Sequence, residues 1–268
     1  MTKYIIKSFV ESEHPRSNIG QFTNKPGIWD DLTKLEPAKL KEFKDLFQNT
    51  AKDMDGEKWT QEQWRGYLLY NEVNKPFRTA VKNWFKTNNL KGYKLLQGWF
   101  TSKNDDLYAL REFMNIAQDV NLPIYSYHGS LYDAYAKETA NKTFTSRIPV
   151  IAQTIKDIRH LTYTMMDLMG LDTVTIYRGV SGNVAKKIAE TDHAQLSGFS
   201  SYSLDKEVAD NFARDHKGIV LKNEFNLARD SKYIVGYIGY LSPTKFKNEQ
   251  EFIVNGDHGL TISKNNIL

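Results

Sequence analysis

The chain contains no cysteine, which excludes disulfides, thiolate metal ligands and a thiol nucleophile. That suits a reducing compartment and is equally compatible with secretion. No stretch approaches the roughly 18 apolar residues that a membrane-spanning helix needs. The N-terminal apolar run, Tyr4-Ile5-Ile6 followed by Lys7, is too short and interrupted for a secretory signal. The expectation is a cytoplasmic protein with no membrane partner, acting where it is made or after delivery into a host cell. Neither a Gly-x-Gly-x-x-Gly sequence nor a phosphate loop occurs. The six histidines are scattered without the spacing of a metal site, so no metal is expected. His128 and His160 read as structural. Strong charge of one sign is also missing: 36 basic against 32 acidic residues leave +4, too little to imply nucleic acid by itself.

What is present is ordinary globular material. Of 268 residues, 40% are hydrophobic, including 14 Phe, 15 Tyr and 5 Trp, ample for a core. The pattern changes near residue 171. Before it, apolar residues recur at helical spacing. Pro37 to Phe47 is amphipathic with Pro in the first turn. Thr60-Gln-Glu-Gln63 is a capping box leading to Trp64, Tyr67, Leu68 and Val73. Asp105 and Asp106 open a helix through Ala117, and a long helix runs from Ile148 to Met169 with Gly170 as its C-cap. After 171, β-rich runs dominate: 173–178, 197–204, 218–227, 233–241, 249–254 and 260–263. Helices at 183–190 and 206–215 interrupt them. Helices first and strands later predict an α+β fold. Residues 10–30, polar with Pro and Gly, read as a loop or linker.

Three of the strand segments place polar groups where a plain sheet needs none. Tyr177-Arg178-Gly179 ends a β run with an arginine, whose fork of donors suits phosphate, and a glycine that lets a ligand approach the backbone. Taken alone, it reads as an ordinary strand-end arginine. In Phe199-Ser-Ser201-Tyr-Ser203, alternation puts Phe199, Ser201 and Ser203 on one face. Two hydroxyls there can orient a carboxylate or a ribose, although a Ser-rich edge leading to a helix capped by Asp205 is the plainer reading. In Glu249-Gln-Glu251, two carboxylates at i and i+2 are expected to point the same way from one strand and to shift each other's pKa. A solvated edge that resists aggregation explains that pair equally well.

In combination, the order strand-Arg, Ser-x-Ser, Glu-x-Glu resembles the arginine–serine–glutamate class of mono-ADP-ribosyltransferases. That class includes the binary actin-modifying toxins and the arginine-specific ectoenzymes. The resemblance covers roughly residues 148–260. Tyr202 stands where the family usually has Thr, which leaves Ser201 in place. Tyr240 to Glu249 resembles the family's loop that presents the acceptor. The resemblance implies a mixed catalytic domain at 96–268, with a split β-sandwich core around an NAD cleft. Residues 1–95 would form a helical region for targeting, docking or covering the cleft.

The resemblance also implies roles. Arg178, with Gly179 beside it, would hold the NAD phosphates, and Ser201 would orient Glu251. Ser203 and Arg214 would contribute to binding NAD. Glu251 would bind the hydroxyl of the nicotinamide ribose and stabilise the cationic ribosyl. Glu249 would align or deprotonate an arginine side chain on a protein acceptor. Phe212 falls where the family packs an aromatic on nicotinamide, and it could equally be the buried face of its helix.

Other readings stay open beside this one. Water could be the acceptor, making the protein an NAD glycohydrolase. Nucleic acid could be the acceptor, since Lys75 to Lys103 holds seven basic residues and no acid, interleaved with aromatics. A basic helix face over a buried aromatic face is the simpler account of that stretch. An inactive virion-associated binding protein is disfavoured by the complete set Arg178, Ser201, Glu249 and Glu251. The segment His14 to Thr23 resembles short tails of some phage-encoded head proteins. A glycoside hydrolase is disfavoured because its two carboxylates normally flank the bond from different elements.

Overall fold

The computed structural model describes residues 32–70, 75–100, 143–191, 193–195, 199–243, 249–255 and 261–268. The expected helix at 105–117, His128, Val73 and the tail at His14 lie outside these residues.

Among the described residues, the long helix is preceded by α1 (Pro37–Thr50), α2 (Gln61–Tyr70), α3 (Lys75–Asn88) and α4 (Leu90–Phe100). Local chemistry sets their ends. Thr60 and Gln63 form the reciprocal capping box, Thr60 N donating to Gln63 Oε1 at 2.8 Å and Gln63 N to Thr60 Oγ1 at 3.3 Å. The long helix α5 (Thr143–Leu168) starts earlier than expected and carries Pro149 inside it. It ends at Gly170, whose φ of 61° is the left-handed cap that its position suggested.

Beyond α5 come β1 (Thr173–Val180), α6 (Gly182–Thr191), β2 (His193–Gln195), β3 (Phe199–Ser203), α7 (Lys206–Asp215), β4 (Ile219–Asn226), β5 (Ile234–Tyr237), β6 (Glu251–Asn255) and β7 (Thr261–Ser263). The run expected as one strand to 241 stops at Tyr237 and turns into a buried 3-10 segment, Gly239–Leu241. Five strands form an antiparallel sheet in the order β4-β1-β3-β6-β5, and β2 pairs with β7. The fold is α+β, as the change of pattern near 171 predicts.

Helix α5 is the pivot of the core. Its Ile151, Ile155, Ile158, Leu161, Met165 and Met166 are buried, and it packs on α1, α2, α4 and β5. The α3 and α4 aromatics Phe77, Trp84, Phe85, Trp99 and Phe100 join the same buried cluster as Ile176, Tyr202 and Phe252 of the sheet. One core therefore runs through the helical and the β-rich parts, and residue 95 lies inside α4. Lys75, Lys86, Lys91 and Lys94 are exposed on the other side of α3 and α4. These aromatics are thus core residues beneath a basic face, not an exposed stacking platform. His160 is structural too: Nδ1–H donates to Lys156 O at 2.6 Å while Nε2 accepts from Glu36 N, just ahead of α1, at 2.8 Å. Among the described residues, no helix is long and apolar enough to cross a membrane.

Candidate active site

The site is built on the three adjacent strands β1, β3 and β6. Their register aligns Tyr177 with Ser203, and Ser203 with Glu251, in one row across the sheet. Ser201 pairs with Ile253, so it is the diagonal neighbour of Glu251, within reach for a polar side chain. Its hydroxyl donates to Glu251 Oε1. Sequence alternation predicts this proximity only once β3 and β6 are known to be neighbours.

Glu251 opens β6 and is only 7% exposed. Burial pushes its carboxyl above the ordinary value of 4.5, and the Glu249 charge adds to that. Hydrogen bonds from Ser201 and Trp99 and the positive charge of Arg178 act the other way. Trp99 Nε1 donates to Oε1 at 2.7 Å. No described residue donates to Oε2.

Arg178 clasps β1 to β3. One Nη donates to the backbone carbonyl of Ser201 at 3.0 Å, and the guanidinium lies 5.7 Å from the centre of the Tyr202 ring. The arginine therefore supports the strand that carries Ser201, and its own charge is felt at Glu251.

Glu249 departs from the expectation. It does not share a strand face with Glu251, because β6 begins at Glu251 and Gln250 takes a φ of 45°. That left-handed residue breaks the alternation on which the expectation rested. Glu249 is exposed, and partial desolvation pushes its carboxyl upward. The Ser203 hydroxyl is committed here: it donates to Glu249 O at 2.7 Å and accepts from Asp205 N at 2.9 Å. Asp205 in turn caps α7 through Glu207 N at 2.9 Å, as the sequence suggested.

Gly179 lies against α7. A Cβ there would sit 2.4 Å from Ala209 O and 3.0 Å from Phe212 Cβ, so the close approach that the glycine permits is to the helix. Helix α7 buries Ala209 and Ala213, whereas Phe212 is 48% exposed and stacks on His216 at 4.2 Å and 20°. The buried-face reading of Phe212 is thereby overturned. Arg214, also exposed, donates to Asn211 Oδ1.

The helical part reaches the site through residues that sequence reasoning missed. Besides Trp99, Gln97 Nε2 donates to Leu241 O at 2.9 Å. Arg78 and Lys82 both donate to Ser242 O, at 3.0 and 2.8 Å. These bonds anchor the backbone at Leu241 and Ser242; residues 244–248 lie outside the described residues. The partners are 144 to 164 positions apart, so no local pattern announces them. Among the described residues, no cluster of His, Asp or Glu could hold a metal ion.

No family model, curated protein or solved structure matches this chain. The functional reading therefore rests on the geometry of these residues.

Proposed function

We propose that the protein is a mono-ADP-ribosyltransferase that cleaves NAD and passes ADP-ribose to an arginine of a protein acceptor. The observation that carries this reading is the carboxylate of Glu251, held by the Ser201 hydroxyl beside the clasp formed by Arg178. Three separate motifs of the expected order meet on three neighbouring strands.

The chemistry asked of these groups is consistent with their placement. Breaking the bond between nicotinamide and ribose leaves positive charge on the ribosyl carbon, while the pyridinium nitrogen of nicotinamide becomes neutral. A fixed carboxylate in a poorly solvated site stabilises such charge far better than one in water. Glu251 Oε2 is available to accept a hydrogen bond from a ribose hydroxyl. The Arg178 guanidinium provides a forked donor for the diphosphate. Phe212, exposed beside Gly179, offers a ring face for nicotinamide, with Arg214 on the same helix. Glu249, outside the strand and exposed, would accept a proton from the attacking guanidinium once the new C–N bond forms.

The test is incubation with NAD labelled in its adenosine moiety, together with a protein mixture. Free nicotinamide and label attached to arginine are then measured. Release of nicotinamide and hydroxylamine-sensitive label on arginine are expected. An inert wild-type protein would overturn the proposal. Nicotinamide release without label would make it a glycohydrolase, and label removed by nuclease would make nucleic acid the acceptor.

A further inference from the structure

We infer that Trp99, in the last turn of α4, is a positioning residue that fixes the Glu251 carboxylate so that Oε2 is the oxygen presented to substrate. This rests on the reading of Glu251 as the reacting carboxylate.

The geometry is specific. An indole N–H can only donate, so Glu251 must be the acceptor. Trp99, on a helix, and Ser201, on a neighbouring strand, reach the same atom, Oε1. Two donors on one oxygen lock the carboxylate about its terminal torsion, which is otherwise soft. They leave the other oxygen without a donor among the described residues.

The donor itself is immobilised. Trp99 is 9% exposed, and the same helix is pinned by Gln97 to Leu241. In the first turn of α4, Gly92 packs so tightly that a Cβ would lie 2.1 Å from Thr154 Oγ1 of α5. The helical region thus supplies a side chain to the site through a rigid element rather than through a loop.

A buried tryptophan needs some acceptor for its N–H, and a purely structural bond would satisfy that need. The two roles separate experimentally. A structural role moves thermal stability alone. A positioning role also moves the acid limb of the pH profile, because the indole bond favours the ionised carboxylate.

Trp99→Phe keeps most of the ring and removes the donor. It is expected to lower kcat for nicotinamide release by about 10–100-fold, as when other orienting partners of a reacting group are removed. KM for NAD should stay within about twofold, as expected when ground-state binding is untouched, and the acid limb should move to higher pH. Unchanged kcat and an unmoved limb would overturn the inference.

A second arm needs no turnover and no folded Trp99 variant. In 15N-labelled wild-type protein, the Trp99 indole resonance is followed through pH. It is expected to titrate with Glu251 and to stop doing so in Glu251→Gln. An indole signal indifferent to that substitution also overturns the inference. If wild-type protein releases no nicotinamide, the NAD reading falls by itself, and the indole titration alone decides whether Trp99 holds Glu251.

Discussion

The Ser203 hydroxyl donates to the backbone carbonyl of Glu249 at 2.7 Å, tying the strand of the second motif to the turn that precedes the third. Because Gln250 follows with a φ of 45°, this tie holds Glu249 off the strand while Glu251 enters it. The two glutamates therefore differ in environment, one exposed and one buried.

That difference predicts separable functions. On the proposed function Glu249 acts on the acceptor and Glu251 on the bond that breaks, so Glu249→Gln should abolish label transfer to arginine while leaving nicotinamide release within about tenfold. Parallel assays of the two products decide it. Equal loss of both would return Glu249 to the bond-breaking step.

Under the proposed function, Glu251→Gln should reduce nicotinamide release by on the order of 10²–10³-fold or more, since it would remove the charge that stabilises the developing cation. Stability should move in the opposite sense. Burial raises the Glu251 carboxyl above 4.5, so its favourable contribution to folding is complete below that pH and is lost as pH rises through the folded value. A glutamine is neutral throughout. The variant should match wild type near pH 4 and gain thermal stability over it as pH rises. Wild-type activity should rise through that same window as the carboxylate forms. Melting curves of the two proteins that stay parallel from acid to neutral pH would contradict the raised value.

Tyr202 stands between Ser201 and Ser203 on β3. Its ring is 3% exposed, and its hydroxyl has no partner among the described residues. Burial pushes its ionisation far above the ordinary 10.0. An unpaired buried hydroxyl costs about 1–3 kcal/mol, so Tyr202→Phe should leave stability unchanged or raise it by up to that amount. It keeps the ring under Arg178, so nicotinamide release should be retained. Denaturant unfolding checks the first part, and a clear loss of stability would reveal a partner for the hydroxyl.

Gly236 of β5 faces α5 with a φ of 140°. A Cβ there would lie 2.4 Å from Thr162 Oγ1 and 2.8 Å from Ile158 Cγ2. Thr162 Oγ1 also accepts from Tyr237 N at 2.7 Å, so the hydroxyl is not free to move away. Gly236→Ala combines overpacking with a disfavoured backbone and should cost about 1–3 kcal/mol or slightly more. Thermal unfolding measures it, and a neutral outcome would mean that the strand and helix can separate locally.

The sequence alone determined the features whose physics is local. The capping box at Thr60 and Gln63, the glycine cap at Gly170, the helix capped by Asp205 and the change from helical to alternating pattern near 171 all depend on neighbours a few residues apart. The order of the three motifs was legible for the same reason, since each lies within one strand or at its start.

The tertiary structure decided what depends on distant neighbours or on backbone sign. Only the strand order β1-β3-β6 brings Arg178, Ser201 and Glu251 together. One left-handed residue, Gln250, cancels the alternation that would have kept Glu249 beside Glu251, and no rule of spacing signals it. Trp99 reaches Glu251 across 152 positions because α4 packs on α5, and α5 packs on the sheet. To local periodicity Trp99 is one more apolar residue of an amphipathic helix. Its N–H gains meaning only when packing brings it to Glu251 Oε1.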